Sequence, residues 1–185
     1  MIRGRMIFLL PAGIFLLFLL MAAVALYGTI NGTRQSDQVP SVLTGRPAPD
    51  LPIRALSPQL AVELAAYQGQ PVLVNFMASW CIPCRAEIPA LDVLRDEVAI
   101  IAVAYKDKDK DTAQFLKDYG NPYDAVWMDD DGQAGIRWGI YGVPETYLID
   151  GKGRIVLRHA GPIYKSVITD DIRPALARLK PANAK

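Results

Sequence analysis

Cys81 and Cys84 are the only cysteines in the chain, and the two residues between them, Ile82 and Pro83, set them about one helical turn apart. They follow the apolar run Val72-Leu73-Val74-Asn75-Phe76 and lead into a segment, Arg85 to Asp96, with helical spacing. Two thiols at a strand-to-helix junction form a reversible redox pair rather than a structural clamp. The first turn of a helix offers unpaired N–H groups and the positive end of the backbone dipole, so the thiolate of Cys81 is expected to be favoured. Cys84, one turn further in and less exposed, can then attack a mixed disulfide formed at Cys81. Pro83 has no N–H to leave unpaired and suits an early helical position. Zinc is excluded, because two cysteines and the lone His159 leave a tetrahedral metal short of protein ligands. Two inert core cysteines are the competing reading, and the strand-to-helix context disfavours it.

The elements that must hold this pair can be read from the pattern. Val72 to Phe76 and Val98 to Ala104 are continuous apolar runs of strand length, buried on both faces; joined by a helix, they are expected to run parallel. Pro89 lies inside that helix and predicts a kink. Ahead of it, Arg46 to Pro52 is too proline-rich for helix and reads as an edge strand or extended lead-in. Ser57 to Tyr67 reads as a short helix, with Ser57 as N-cap and Pro58 in the first turn.

Beyond the second strand, Lys106 to Asp111 alternates in sign and reads as a solvated loop. Thr112 to Tyr119 is a helix ending at Gly120, and Ala125 to Met128 a short strand. Asp129-Asp130-Asp131-Gly132 lacks the spaced oxygens and distal glutamate of a calcium loop, so it reads as a turn and helix start, with Gln133 to Trp138 giving one or two turns. Tyr147-Leu148-Ile149 and Ile155-Val156-Leu157 flank Asp150-Gly151-Lys152-Gly153, a hairpin signal. Tyr164 to Lys180 is amphipathic, bent at Pro174, and should cover a sheet face. A βαβ unit followed by a ββα unit predicts an α/β fold with a central mixed sheet flanked by helices.

The 185 residues carry a formal net charge of +1, and setting aside Arg3 and Arg5 leaves acids and bases nearly matched. That balance offers no electrostatic case for nucleic acid. Met6 to Ile30 carries no charge and is long enough for an N-terminal transmembrane helix. Arg3 and Arg5 would hold its start in the cytoplasm. Ala23-Val24-Ala25 also resembles a signal-cleavage site, so an anchor and a cleaved leader both stand, with the anchor favoured by the apolar run through Leu26, Tyr27 and Ile30. Either way the remainder is exported. The expected division is a membrane anchor over 1–30, a polar tether over 31–46 and the redox domain over 47–185.

Trp80-Cys81-Ile82-Pro83-Cys84 after a buried strand, Pro89 in the same helix and Val143-Pro144 before a later strand resemble the thioredoxin fold from about Pro47 to Lys180. Asn75-Phe76-Met77-Ala78-Ser79-Trp80-Cys81, Arg85-Ala86-Glu87, Tyr105-Lys106-Asp107 and Tyr141-Gly142-Val143-Pro144-Glu145-Thr146-Tyr147-Leu148-Ile149-Asp150 resemble, more narrowly, the membrane-anchored thioredoxins of cytochrome c biogenesis known as CcmG or DsbE. The resemblance implies a cis Pro144 facing the cysteines, with the backbone of Val143 exposed to bind an extended substrate and Trp80 meeting it. Asn75 stands where ordinary thioredoxins carry a buried aspartate, and an amide cannot take up a proton as a carboxylate does. Glu87, three residues beyond Cys84, and Glu145, directly after Pro144, are the candidates to tune the thiols instead. Ile82-Pro83 departs from the family's usual Pro-Thr and matches the related TlpA and ResA-like proteins.

The function so implied is thiol:disulfide oxidoreductase, with reduced Cys81 attacking a disulfide in the Cys-x-x-Cys-His haem-attachment segment of an apocytochrome c and Cys84 resolving the intermediate. Electrons would return from a membrane reductant of the DsbD or CcdA type, near a haem-ligation assembly. No organic cofactor or metal is required. The expected location is the bacterial inner membrane, with the redox domain in the periplasm. A general exported disulfide reductase and a non-catalytic apocytochrome holdase are the alternatives.

Overall fold

The computed structural model describes residues 3–30, 43–51, 53–57 and 64–179. The chain divides into two units, Met1–Gln38 and Val39–Lys185. The first is the helix α1 (Arg3–Ile30), which carries Pro11 within it and leaves the large apolar side chains from Ile14 to Met21 exposed. Among the described residues no helix is long and apolar enough to cross a membrane.

The second unit is built on a six-stranded sheet, with β1 (Arg54–Ala55), β2 (Val72–Met77), β3 (Ala99–Tyr105), β4 (Ala125–Asp129), β5 (Glu145–Ile149) and β6 (Ile155–Ala160) in the order β1-β4-β3-β2-β5-β6. β2, β3 and β4 are parallel, while β1, β5 and β6 join antiparallel, which makes the sheet mixed. Every residue of β2 is buried, as a central strand covered on both faces requires. Alternation then separates two cores. Leu73, Met77, Ile100, Ala102, Val126 and Leu148 pack under α2 (Ile82–Leu94), α3 (Asp109–Tyr119) and the C-terminal helices. Val74, Phe76, Ile101, Val103, Trp127 and Tyr147 pack against Trp138 of α4 (Gln133–Trp138). Each large buried side chain contributes roughly 1.5–3 kcal/mol.

α2 buries Cys84, Glu87, Ile88, Leu91 and Leu94, the stripe expected of a helix lying on a sheet. Pro89 lies within it. The C-terminal segment is α5 (Lys165–Val167), a π-helical turn (Ile168–Ile172) and α6 (Arg173–Leu179). The irregularity expected at Pro174 thus takes the form of a π turn just before it, in which the Arg173 N–H reaches back to the Ile168 carbonyl.

Several expectations are refined by the structure. Lys106 to Asp111 is not a solvated loop: α3 begins at Asp109 and Asp107 is buried. The alternating signs arise because Asp109 pairs outward with Arg54 while Asp107 turns inward. Arg46 to Leu51 is a lead-in segment whose Pro47 bridges to Arg154 beside the β5–β6 hairpin, and Pro52 lies outside the described residues. β1 was not foreseen. Of the helix expected over Ser57 to Tyr67, a 3-10 turn at Leu64–Tyr67 is seen, and 58–63 lie outside the described residues. So do Lys180 and most of the tether.

The β5–β6 turn is closed by Asp150, whose carboxylate accepts from the N–H groups of Lys152 and Arg154. Gly151 packs on the preceding turn, and a Cβ there would lie 2.6 Å from the Gly69 carbonyl carbon. Gly151→Ala is therefore expected to lower the unfolding free energy by about 1–3 kcal/mol in urea titration, through overpacking against backbone that cannot swing aside.

Candidate active site

Cys81 is the N-cap of α2, and the structure joins it to Cys84 by a disulfide with Cα atoms 5.3 Å apart. Both are buried, with 3% and 1% of their surfaces exposed. The Cys84 N–H points at Cys81 Sγ at 3.1 Å, so the backbone donor that capped the helix start remains aimed at that sulfur. After reduction the same N–H and the helix dipole favour a thiolate on Cys81 over one on Cys84. Trp80 is 56% exposed beside it. From the other side, the Val143 carbonyl oxygen approaches Cys81 Sγ to 3.4 Å, and the Val143–Pro144 bond is cis. The two cysteines, Trp80, Val143 and Pro144 are therefore brought together at the carboxyl end of β2.

Beneath the disulfide lies a buried polar web. Glu87 occupies a core position of α2, where a helix would ordinarily place an aliphatic side chain, and is fully buried. Its Oε1 accepts from Asn75 Nδ2 at 3.0 Å and its Oε2 from the Ile163 N–H at 3.0 Å. The same amide nitrogen donates to Thr146 Oγ1, and the Tyr123 hydroxyl donates to Asn75 Oδ1. Tyr123 thereby fixes the amide orientation so that both hydrogens face acceptors. Burial pushes the Glu87 carboxyl up to about 7, against the hydrogen bonds from Ile163 and Asn75 that favour its charged form. Burial, with the nearby charge of Glu87, holds Tyr123 well above the ordinary tyrosine value.

Glu145 has a different setting. Its Oε1 accepts the Tyr141 N–H at 2.7 Å, and its Oε2 faces Arg158, with Nε at 2.9 Å and Nη2 at 2.8 Å. Arg158 also stacks beneath the Tyr141 ring, 4.6 Å from its centroid. The Tyr147 hydroxyl lies 2.8 Å from the Trp138 carbonyl and 3.2 Å from Glu145 Oε2, two acceptors for one proton. Glu145 thus ties down the loop that presents Val143, whereas Glu87 projects from the redox helix itself into the core. Among the described residues no cluster of three or more metal-ligating side chains occurs.

A family profile described as the AhpC/TSA family matches residues 44–158. The chain belongs to that family. Within it, the thiol:disulfide interchange protein HelX of Rhodobacter capsulatus is 42% identical over 143 residues, 75% of this chain and 80% of its own. The thiol:disulfide interchange protein DsbE of Escherichia coli K12 is 36% identical over 175 residues, 92% of this chain and 93% of its own. Among solved structures, a DsbE-assigned protein from Chlorobium tepidum superposes with a TM-score of 0.61 at 28% identity, covering 70% of this chain and 95% of that one. The likeness places this AhpC/TSA chain with the DsbE thiol:disulfide interchange proteins, as a thioredoxin-like thiol-disulfide oxidoreductase.

Sequence reasoning overlooked Ser79, Asp107, Tyr123 and Arg158 as parts of this AhpC/TSA site. For Asp107 a signal was present: it stands in the short connection between an apolar strand and a helix, two residues past Tyr105 and two before Asp109, where a carboxylate can turn in to meet backbone N–H groups. Tyr123 and Arg158 carry no local signal, since their partners are 48 and 13 residues away.

The Glu87 carboxyl supplies a pH test. The unfolded chain loses this proton near the ordinary glutamate value and the folded chain near 7, so between them the folded state binds more protons and stability falls as pH rises. Urea midpoints of the oxidised protein are expected to decline from about pH 5 to about pH 8, and Glu87→Gln to remove that decline; a slope preserved in the variant would assign it to other groups.

Proposed function

We propose that the chain reduces the disulfide of apocytochrome c haem-attachment segments on the exported side of a bacterial inner membrane. The observation that carries the reading is the closeness of Cys81 Sγ to the Val143 carbonyl, which gives an extended peptide a backbone to pair with beside the attacking sulfur. The Cys81 thiolate attacks one sulfur of the peptide disulfide, forming a mixed disulfide and releasing the other sulfur as a thiolate. Cys84, deprotonated, then attacks Cys81 Sγ, closing the Cys81–Cys84 disulfide and freeing the second peptide thiol. Two electrons pass to the peptide, and the two thiols carry them without an organic cofactor or metal. Glu87 and Glu145 are assigned to tuning, the first as a buried carboxyl on the redox helix three residues beyond Cys84, the second by holding the Val143 loop through Tyr141. Trp80 and Pro144 complete the peptide-binding surface.

The substrate comes from the family resemblance, as do the reductant of DsbD or CcdA type that restores the dithiol and the haem-ligation assembly that receives the peptide. An external reductant is needed because an exported compartment keeps exposed dithiols oxidised. The anchor reading rests on the uncharged run Met6 to Ile30, whose exposed apolar side chains would otherwise face water. It predicts that the full chain sediments with membranes and resists carbonate extraction; a protein recovered in the soluble exported fraction, shortened near Ala25, would establish cleavage instead.

Specificity is tested with Cys84→Ser, which cannot resolve its mixed disulfide. The trapping rate of its reduced form with an oxidised Cys-x-x-Cys-His peptide is expected to exceed that with a sequence-scrambled, likewise oxidised peptide of equal charge by about tenfold, the effect of one good recognition contact. Equal rates would point to a general exported reductase, the reading that Ile82-Pro83 favours. Absence of trapping with both would favour a holdase or a protein that acts only with its partner.

A further inference from the structure

Asp107 is buried and accepts four hydrogen bonds. Two come from one residue of the redox loop, the Ser79 N–H at 2.6 Å and the Ser79 hydroxyl at 2.8 Å. The other two come from the start of α3, the Lys108 N–H at 2.9 Å and the Thr112 hydroxyl at 3.0 Å. One carboxylate therefore fastens the chain two residues before Cys81 to the next helix. Its neighbour Lys106 is held at φ 48°, a conformation that L side chains rarely adopt, with its N–H bonded to the Asp129 carbonyl at 2.9 Å. In that pose the Lys106 carbonyl receives the Trp80 indole N–H at 3.4 Å. Such residues persist where their surroundings over-determine them. Arg85 adds a contact to the Ser79 carbonyl at 3.4 Å.

Sheet order shows what this fastening does. β3 and β5 flank β2, and because β5 is antiparallel its start lies at the carboxyl end of β2. Cys81 stands there with Lys106 and Asp107 on one side and Val143 and Pro144 on the other. We infer that Asp107 is a positioning residue for peptide docking: by holding Ser79 it fixes the Trp80 ring as a wall opposite Val143, between which a peptide disulfide is aligned on Cys81. No electron or proton passes through it. The inference rests on thiol:disulfide interchange alone and holds whichever peptide is the natural substrate.

The test compares two oxidants on the reduced full-length chain in mild detergent: a small aromatic disulfide, which needs only the thiolate, and a peptide disulfide of arbitrary sequence, which must also dock. Asp107→Asn is expected to slow the peptide reaction about tenfold more than the small-molecule reaction, the scale of a modest misplacement. It should also raise acrylamide quenching, which reports Trp80 because Trp127 and Trp138 are 5% and 0% exposed. Thr112→Val removes only an α3 contact and should lower the unfolding midpoint while keeping the wild-type ratio of the two rates. Ser79→Ala, which loses the hydroxyl bond alone, should shift the ratio the same way by less, and stands in if Asp107→Asn does not fold. Equal slowing of both oxidants, an unaltered ratio in both the Asp107 and Ser79 variants, or the same ratio change in Thr112→Val would overturn the inference.

Discussion

A carboxylate sealed from water beneath a disulfide is the constraint to which the rest of this domain answers. Glu87 lies on the stripe of α2 that packs on the sheet, so neither of its oxygens can be satisfied by solvent. Each is met instead from a different part of the chain, Oε1 by Asn75 of β2 and Oε2 by the backbone after β6. Asn75 can serve only because Tyr123 and Thr146 occupy its remaining positions. One buried acid thereby specifies the relative placement of α2, β2, β5 and the 161–163 segment. Leaving any member unmatched costs on the order of 1–3 kcal/mol, which makes the web self-consistent rather than adjustable.

Around it, the redox turn is gripped from two sides by acids that do different work. Asp107 is saturated by donors and holds the chain before Cys81. Glu145 meets Arg158, both nearly buried, and holds the chain before Val143. Pairing of this kind adds little net stability in a dry interior, but breaking it strands a charge, so it acts chiefly to fix geometry. A nucleophile whose flanking walls are each set by a buried carboxylate needs little rearrangement before reaction.

The parts legible in the sequence were those encoded locally. Val72 to Phe76 and Val98 to Ala104 announce buried strands by unbroken apolar runs, Asp150 to Gly153 announces its hairpin by turn chemistry, and the cysteines announce themselves by spacing. β1, two residues long, has no periodicity to detect. The 106–111 stretch misled because sign alternation describes only outward-facing groups, whereas Asp107 turns in. Glu87 was visible as a candidate through its helical distance from Cys84, but its partners Asn75 and Ile163 come together only in the folded chain.

The lead-in segment has a mechanical meaning. Gly45, Arg46 and Ala48 are bonded to the hairpin through Gly45 N–H to Ile155 O, Ile155 N–H to Arg46 O and Ala48 N–H to Gly153 O. A pull on the chain before residue 43 is therefore borne first by these three bonds at the β6 margin. β2, which carries the redox turn, lies two strands further in. A force applied to the chain ahead of residue 43 would therefore loosen the hem of the sheet before any load reached the cysteines, leaving their sulfur chemistry in register.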